Sequence, residues 1–203
     1  MTTIVFPTLT RAAPQSLELG LKANTQVFVS ELSGDVQTLE LPGARWTMSF
    51  SFSALERADA GIVEALFASM RGQANRLQVP VFGRSVPRGT WAGTPKVTTG
   101  AQTGNTLDCY NFAAGATVKK GDLFNVGSAG ELKIITADGT ADGSGLLTLT
   151  FEPPLRASPS ADEFIISNSC VVPLMIPSDP HLKTALSPGD FTDAAFDLVE
   201  VFA

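Results

Sequence analysis

His181 is the only histidine in a chain of 203 residues, and Cys109 and Cys170 are its only cysteines. The side chains best suited to nucleophilic or metal chemistry are therefore few and widely separated. A Ser-His-Asp site needs a serine on a strained turn beside the histidine. No Gly-x-Ser-x-Gly occurs, and His181 stands among prolines in Pro177-Ser-Asp-Pro-His181, which reads as a solvated loop. Zinc would need several His or Cys ligands at close spacing, and these three residues are scattered. Gly93-Thr-Pro-Lys96 lacks the Gly-x4-Gly-Lys-Ser/Thr spacing of a phosphate loop. Asp138-Gly-Thr-Ala-Asp142-Gly143 lacks the alternating acidic ligands and terminal Glu of a calcium loop, and reads as a polar β-turn. Paired carboxylates for glycoside hydrolysis converge only in the folded chain, and a single Tyr leaves few platforms for stacking a sugar. The expectation is no catalytic residue, no metal site and no cofactor.

Two distant cysteines make no disulfide framework, and read as free, buried thiols. The net charge of −6 and pI of about 4.7 oppose binding to nucleic-acid phosphates. Arg71, Arg76, Arg84 and Arg88 nevertheless fall close together; they read as solvated or ion-paired, or as part of a subunit contact. Met1-Thr-Thr-Ile-Val-Phe-Pro is too short for a signal peptide, and the apolar run 164–178 is broken by Asn168, Pro173 and Pro177. Neither membrane insertion nor secretion by the usual route is expected.

The elements that carry these residues are mostly strands. Trp46-Thr-Met-Ser-Phe-Ser-Phe-Ser53 alternates apolar and polar side chains, the period of a strand with one buried face. Ser53 and Glu56 have the spacing of a capping box, which predicts a helix over 54–71 that stops at Gly72. Leu55, Ala58, Ile62, Leu66 and Ser69 form its expected core stripe, flanked by Val63, Phe67 and Met70. Upstream, 26–30 and 36–41 flank the turn Ser33-Gly34-Asp35, and antiparallel pairing is expected among these two and the strand at Trp46. Downstream, 83–104 holds five Gly and two Pro and reads as a linker or an extended arm.

Short strands then follow at 123–126, 131–135 and 146–151, suited to a small barrel or roll, before Pro153-Pro154 closes the segment. Residues 164–176 and 190–202 return to strand patterning. The fold class is mainly β: a β-sandwich with one packed α-helix, carrying an inserted small β-barrel or roll. Residues 1–92 and 165–203 are assigned to the sandwich, and 93–164 to the insert.

Several short motifs carry a resemblance. Trp46–Phe52, Arg57-Ala-Asp59, Arg71-Gly-Gln-Ala-Asn-Arg76 and Pro87-Arg-Gly-Thr-Trp-Ala-Gly-Thr-Pro95 look like tail proteins of long-tailed (siphovirus-like) bacteriophages. So do Thr99-Gly-Ala-Gln-Thr-Gly104, Lys120-Gly-Asp122, Glu152-Pro-Pro-Leu-Arg156 and Phe196-Asp-Leu-Val-Glu-Val-Phe202. Within that group the chain most resembles the distal tail protein. The resemblance implies a hexameric ring at the end of the tail tube, located in the virion and made in the host bacterial cytoplasm. The implied partners are further copies of itself, the tail tube protein and the hub or tip proteins, with DNA only passing through the lumen. It supplies no catalytic residues. Arg84, Arg88 and Trp91, in the Gly/Pro-rich exit from the helix unit, are the candidates for an arm that reaches a neighbouring subunit. The alternatives are a tail tube subunit and a carbohydrate-binding adhesion module, the latter disfavoured by low Tyr and Trp content.

Overall fold

The computed structural model describes residues 2–10, 13–127, 130–178, 185–187 and 191–201; His181 and Phe202 lie outside them. The chain opens with β1 (Thr3–Val5), β2 (Ser16–Lys22), β3 (Thr25–Val29), β4 (Val36–Glu40) and β5 (Arg45–Leu55). Helix α1 (Arg57–Met70) and β6 (Arg76–Pro80) follow. The middle of the chain holds β7 (Gly93–Val97), β8 (Gly104–Phe112), β9 (Thr117–Val118), β10 (Leu123–Val126), β11 (Glu131–Ile135), β12 (Gly139–Thr140), β13 (Leu147–Leu155) and β14 (Ile165–Ile166). It closes with β15 (Val171–Met175), β16 (Ala185–Ser187) and β17 (Phe191–Glu200).

Both ends of the chain build one sheet, in the order β1-β6-β15-β17-β5-β2, with β16 also on β17. Strand β5, held between β17 and β2, has a fully apolar inner face because of its alternation: Trp46, Met48, Phe50 and Phe52 are buried, and the intervening Thr and Ser are not. Phe6, one residue beyond β1, lies 5.6 Å from the Phe50 ring, although β1 and β5 are four strands apart in the sheet. On a flat sheet that separation would be roughly 19 Å. The sheet therefore curls around its own core in sandwich fashion. Phe50 and Phe67 both stack on Phe196, at 4.7 and 4.6 Å, which fixes α1 against β17.

Two local expectations are corrected. The capping box of Ser53 and Glu56 does not form, since β5 continues through Leu55 and holds Ser53 as a strand residue. Glu56 is itself the N-cap, in extended conformation and with no side-chain cap hydrogen bond. The buried Asp59 occupies the first helical turn and accepts a hydrogen bond from the Thr10 amide at 3.1 Å, where the helix dipole favours a negative charge. The buried stripe of α1 is Asp59, Ala60, Val63, Leu66 and Met70. Ala58 and Ser69 are exposed, so the helix is rotated by about one position from the expected register. At its end Arg71 adopts the left-handed conformation, one residue before Gly72.

The middle strands form a second sheet, β14-β10-β11-β13-β8-β7. It is nearly closed: Lys96 bridges Phe164, and the Val97 amide donates to the Glu163 carbonyl at 3.0 Å. Strand β13 runs through Pro153 and Pro154 rather than ending before them. The ladder to β8 shifts register between Thr150 and Leu155, which spares the prolines a hydrogen bond that they cannot donate.

The two bodies share a wall. In β10 and β11, Leu123 and Leu132 join the core of the larger sheet, while Phe124 and Ile135 fill the barrel. A polar clamp crosses this wall. Glu200 accepts both hydrogen bonds of a bidentate contact from Arg156, each 2.9 Å, and one from the Trp46 amide at 2.9 Å. The Trp46 indole N–H donates to the Leu132 carbonyl at 2.8 Å. Behind it, fully buried Lys133 pairs with Glu131 at 2.7 Å and donates to the Pro154 carbonyl at 2.7 Å. Burial pushes the Lys133 pKa down, and Glu131 opposes the shift.

Removing one member of a buried ion pair strands the other. Glu200→Ala is expected to cost about 3–5 kcal/mol in urea unfolding. The joint replacement Arg156→Met with Glu200→Leu is expected to cost less than that single change.

Candidate functional site

Among the surfaces described, the β3–β4 hairpin stands out. Every residue of both strands is exposed, and the two strands pair only with each other, from Thr25 opposite Glu40 to Val29 opposite Val36. The turn is built locally: the Ser30 amide donates to the Asp35 carbonyl, the Gly34 amide to the Ser30 carbonyl, and the Ser33 hydroxyl to Asp35. Gly34 has φ +72°, a conformation that favours glycine. From its root at Asn24, whose side-chain amide donates to the Pro42 carbonyl, the ribbon reaches roughly 20 Å.

Its side chains are unusual for so exposed an element. Opposite residues of an antiparallel pair share a face. Val27, Val29 and Val36 therefore lie on one face, and Phe28 and Leu39 on the other. Phe28 is 56% exposed, and Leu32, in the turn, is fully exposed. A two-stranded ribbon alone is marginal in water, and exposed apolar strand edges invite pairing in trans. Glu31, Asp35 and Glu40 are the charged residues of segment 25–40, and it contains no Lys, Arg or His.

The expected three-strand pairing therefore does not occur. Strand β5 pairs with β2 and β17, and the hairpin stands apart. The signal lay in the pattern itself. Leu17, Leu19 and Leu21 alternate as β5 does, whereas Val27, Phe28 and Val29 run without alternation.

The segment after β6 is fastened to its own barrel. Trp91 is buried in the barrel core, 5.8 Å from the Phe124 ring. The carboxylate of buried Asp122 accepts hydrogen bonds from the Trp91 indole at 2.8 Å and from the amides of Arg88, Gly89 and Lys119 at 2.7, 3.0 and 2.9 Å. Burial pushes the Asp122 pKa up, but the hydrogen bonds from Trp91 and from the backbone of Lys119, Arg88 and Gly89 outweigh it, and the value lies below the usual carboxylate range. Gly89 is required by close approach, because a Cβ there would lie 2.4 Å from the Thr117 carbonyl oxygen. Trp91 is thus an internal anchor rather than part of a reaching arm. Arg84 and Arg88 remain exposed; their guanidiniums donate to the carbonyls of Gly121 and Lys120 respectively.

Among the described residues, those with chemical potential are not gathered. Cys109 and Cys170 are free and buried in different cores. Burial pushes the Cys109 thiol well above its usual range, with Asp108 adding to the shift, and pushes Cys170 to about 11; neither is a thiolate at neutral pH. Asp142 caps its own turn by accepting from the amides of Ser144 and Leu146, and Asp138 pairs with Lys119 at 3.1 Å. Among the described residues, no three His, Cys, Asp or Glu side chains group as metal ligands. No helix there is long and apolar enough to cross a membrane. A cavity of about 690 Å³ at the hairpin root is lined by residues 40–45 and 153–156, with Arg45 and Arg156 among them. No protein-family model matches the chain, and no curated protein matches it.

Because the folded Asp122 pKa is depressed, its stabilisation is fully present above the unfolded value, about 3.9, and is lost as pH falls through the folded value. Asp122→Asn should lower the urea midpoint at pH 7 and shift tryptophan emission. The difference from the parent should shrink below about pH 4.

Proposed function

We propose that this chain is a structural, ring-forming component of a long-tailed bacteriophage tail, and specifically its distal tail protein. The observation that carries the reading is the β3–β4 hairpin, whose apolar side chains all stay about half exposed or more. A subunit that keeps such a ribbon is suited to a place where other subunits bury it. The burial of Cys109 and Cys170 in two different cores is compatible with a role in architecture. The short motifs that resemble those of phage tail proteins supply the particular assignment: a hexameric ring that joins the tail tube to the hub or tip, with DNA passing through the lumen. A net charge of −6 suits a channel wall to which DNA should not adhere.

Light scattering and negative-stain images of the purified protein test this. Closed rings of about six copies are expected, and addition of tube or hub proteins should cap or extend them. Long helical polymers would move the assignment to the tail tube. A protein that stays monomeric at every concentration and never enters tails would overturn it.

A further inference from the structure

The hairpin has a chemical counterpart elsewhere on the protein. Arg84 and Arg88 reach the barrel turn that carries Lys120, and all three are exposed. Val86, 76% exposed, lies between the two arginines in the chain. Lys119, beside them, is paired with Asp138, which also accepts the Lys120 amide and lies in the field of the Lys120 ammonium. The patch thus offers three exposed cations and, in the same short segment, an exposed apolar side chain, on a protein whose net charge is negative. An arginine presents five N–H donors, so contacts with the carbonyls of Gly121 and Lys120 leave donors for a partner. The hairpin offers the complement: Glu31 and Asp35 at its turn and Glu40 at its root, with no basic residue, alongside Phe28, Leu32 and the valines.

We infer that the β3–β4 hairpin of one copy docks on the Arg84–Val86–Arg88–Lys120 surface of a second copy. The contact joins two different patches, so it is heterologous and propagates from copy to copy until the rotation closes a ring. It rests on the ring-forming reading above and names the interface that reading requires. The same charges turn the hairpin away from the other surface that an apolar ribbon could enter. Anionic lipid attracts basic segments, and this segment has only acidic charges.

A charge exchange tests the docking. One variant carries Glu31→Lys, Asp35→Lys and Glu40→Lys, and the other carries Arg84→Glu, Arg88→Glu and Lys120→Glu. Each alone is expected to lose assembly more than about a hundredfold in association constant, read by light scattering at about 0.15 M salt. In an equimolar mixture each reversed surface meets a reversed partner, and particles of the parent mass are expected to return. A measurement that needs no variant accompanies this: assembly of the parent protein is expected to weaken steeply as salt rises. Parent rings that survive both reversals, or that ignore salt, overturn the docking and leave the ring reading standing. So does a mixture of two folded variants that fails to assemble. A parent that never assembles overturns both. Binding of the parent to phosphatidylcholine–phosphatidylglycerol vesicles, lost in Leu32→Ser, would assign the hairpin to a membrane and overturn the proposal.

Discussion

Everything else in the molecule depends on β11 being buried on both of its faces. Leu132 faces the core of the curled sheet, and Ile135 faces the barrel. A strand with two dry faces has no solvent side on which to place a charge, yet Lys133 lies there fully buried. Desolvating an ammonium is expensive, and Glu131 with the Pro154 carbonyl offsets that cost only through close geometry. The nearby contact of Arg156 and Glu200 belongs to the same solution, since it draws the Trp46 amide and the strand ends into one register. Apolar residues would hold two cores together with less precision. Directional bonds across the wall fix how the barrel sits on the sheet.

Against this rigid centre the hairpin is a deliberate exception. The larger sheet hides its apolar side chains by curling, and the barrel hides its own by nearly closing. The hairpin does neither, and spends no packing on its own chain. Its three acidic residues and absence of basic ones make two hairpins repel each other. That guards against like-with-like aggregation while leaving the ribbon available to an unlike surface.

Much of the fold was legible in the residues. The alternation from Trp46 to Ser53 located the strand that carries most of the aromatic core, and a mainly β chain with one helix followed from the patterning. What was not legible was decided by tertiary packing. Ser53 and Glu56 have capping spacing, but continuation of β5 to Leu55 overrides it. The stripe of α1 was misplaced by one position because Asp59, a residue that reads as solvent-facing, is buried against the Thr10 amide. Trp91 looked like part of an arm because nothing in the sequence pairs it with Asp122, 31 positions away. The hairpin was recognisable as two strands and a turn; that it stands clear of the sheet depends on β2 taking the place beside β5.

Strands β6 and β15 are neighbours in the sheet, and the Val81 amide donates to the Cys170 carbonyl at 2.9 Å just beyond them. The whole barrel lies between these two positions, so topologically it is the turn of a hairpin about ninety residues long. Closing so long a loop from a disordered chain carries a large entropic cost before any contact rewards it. A barrel already folded brings both ends to one place and removes most of that cost. Such a topology favours an order in which the barrel strands pair first and the sheet zips across their base afterwards.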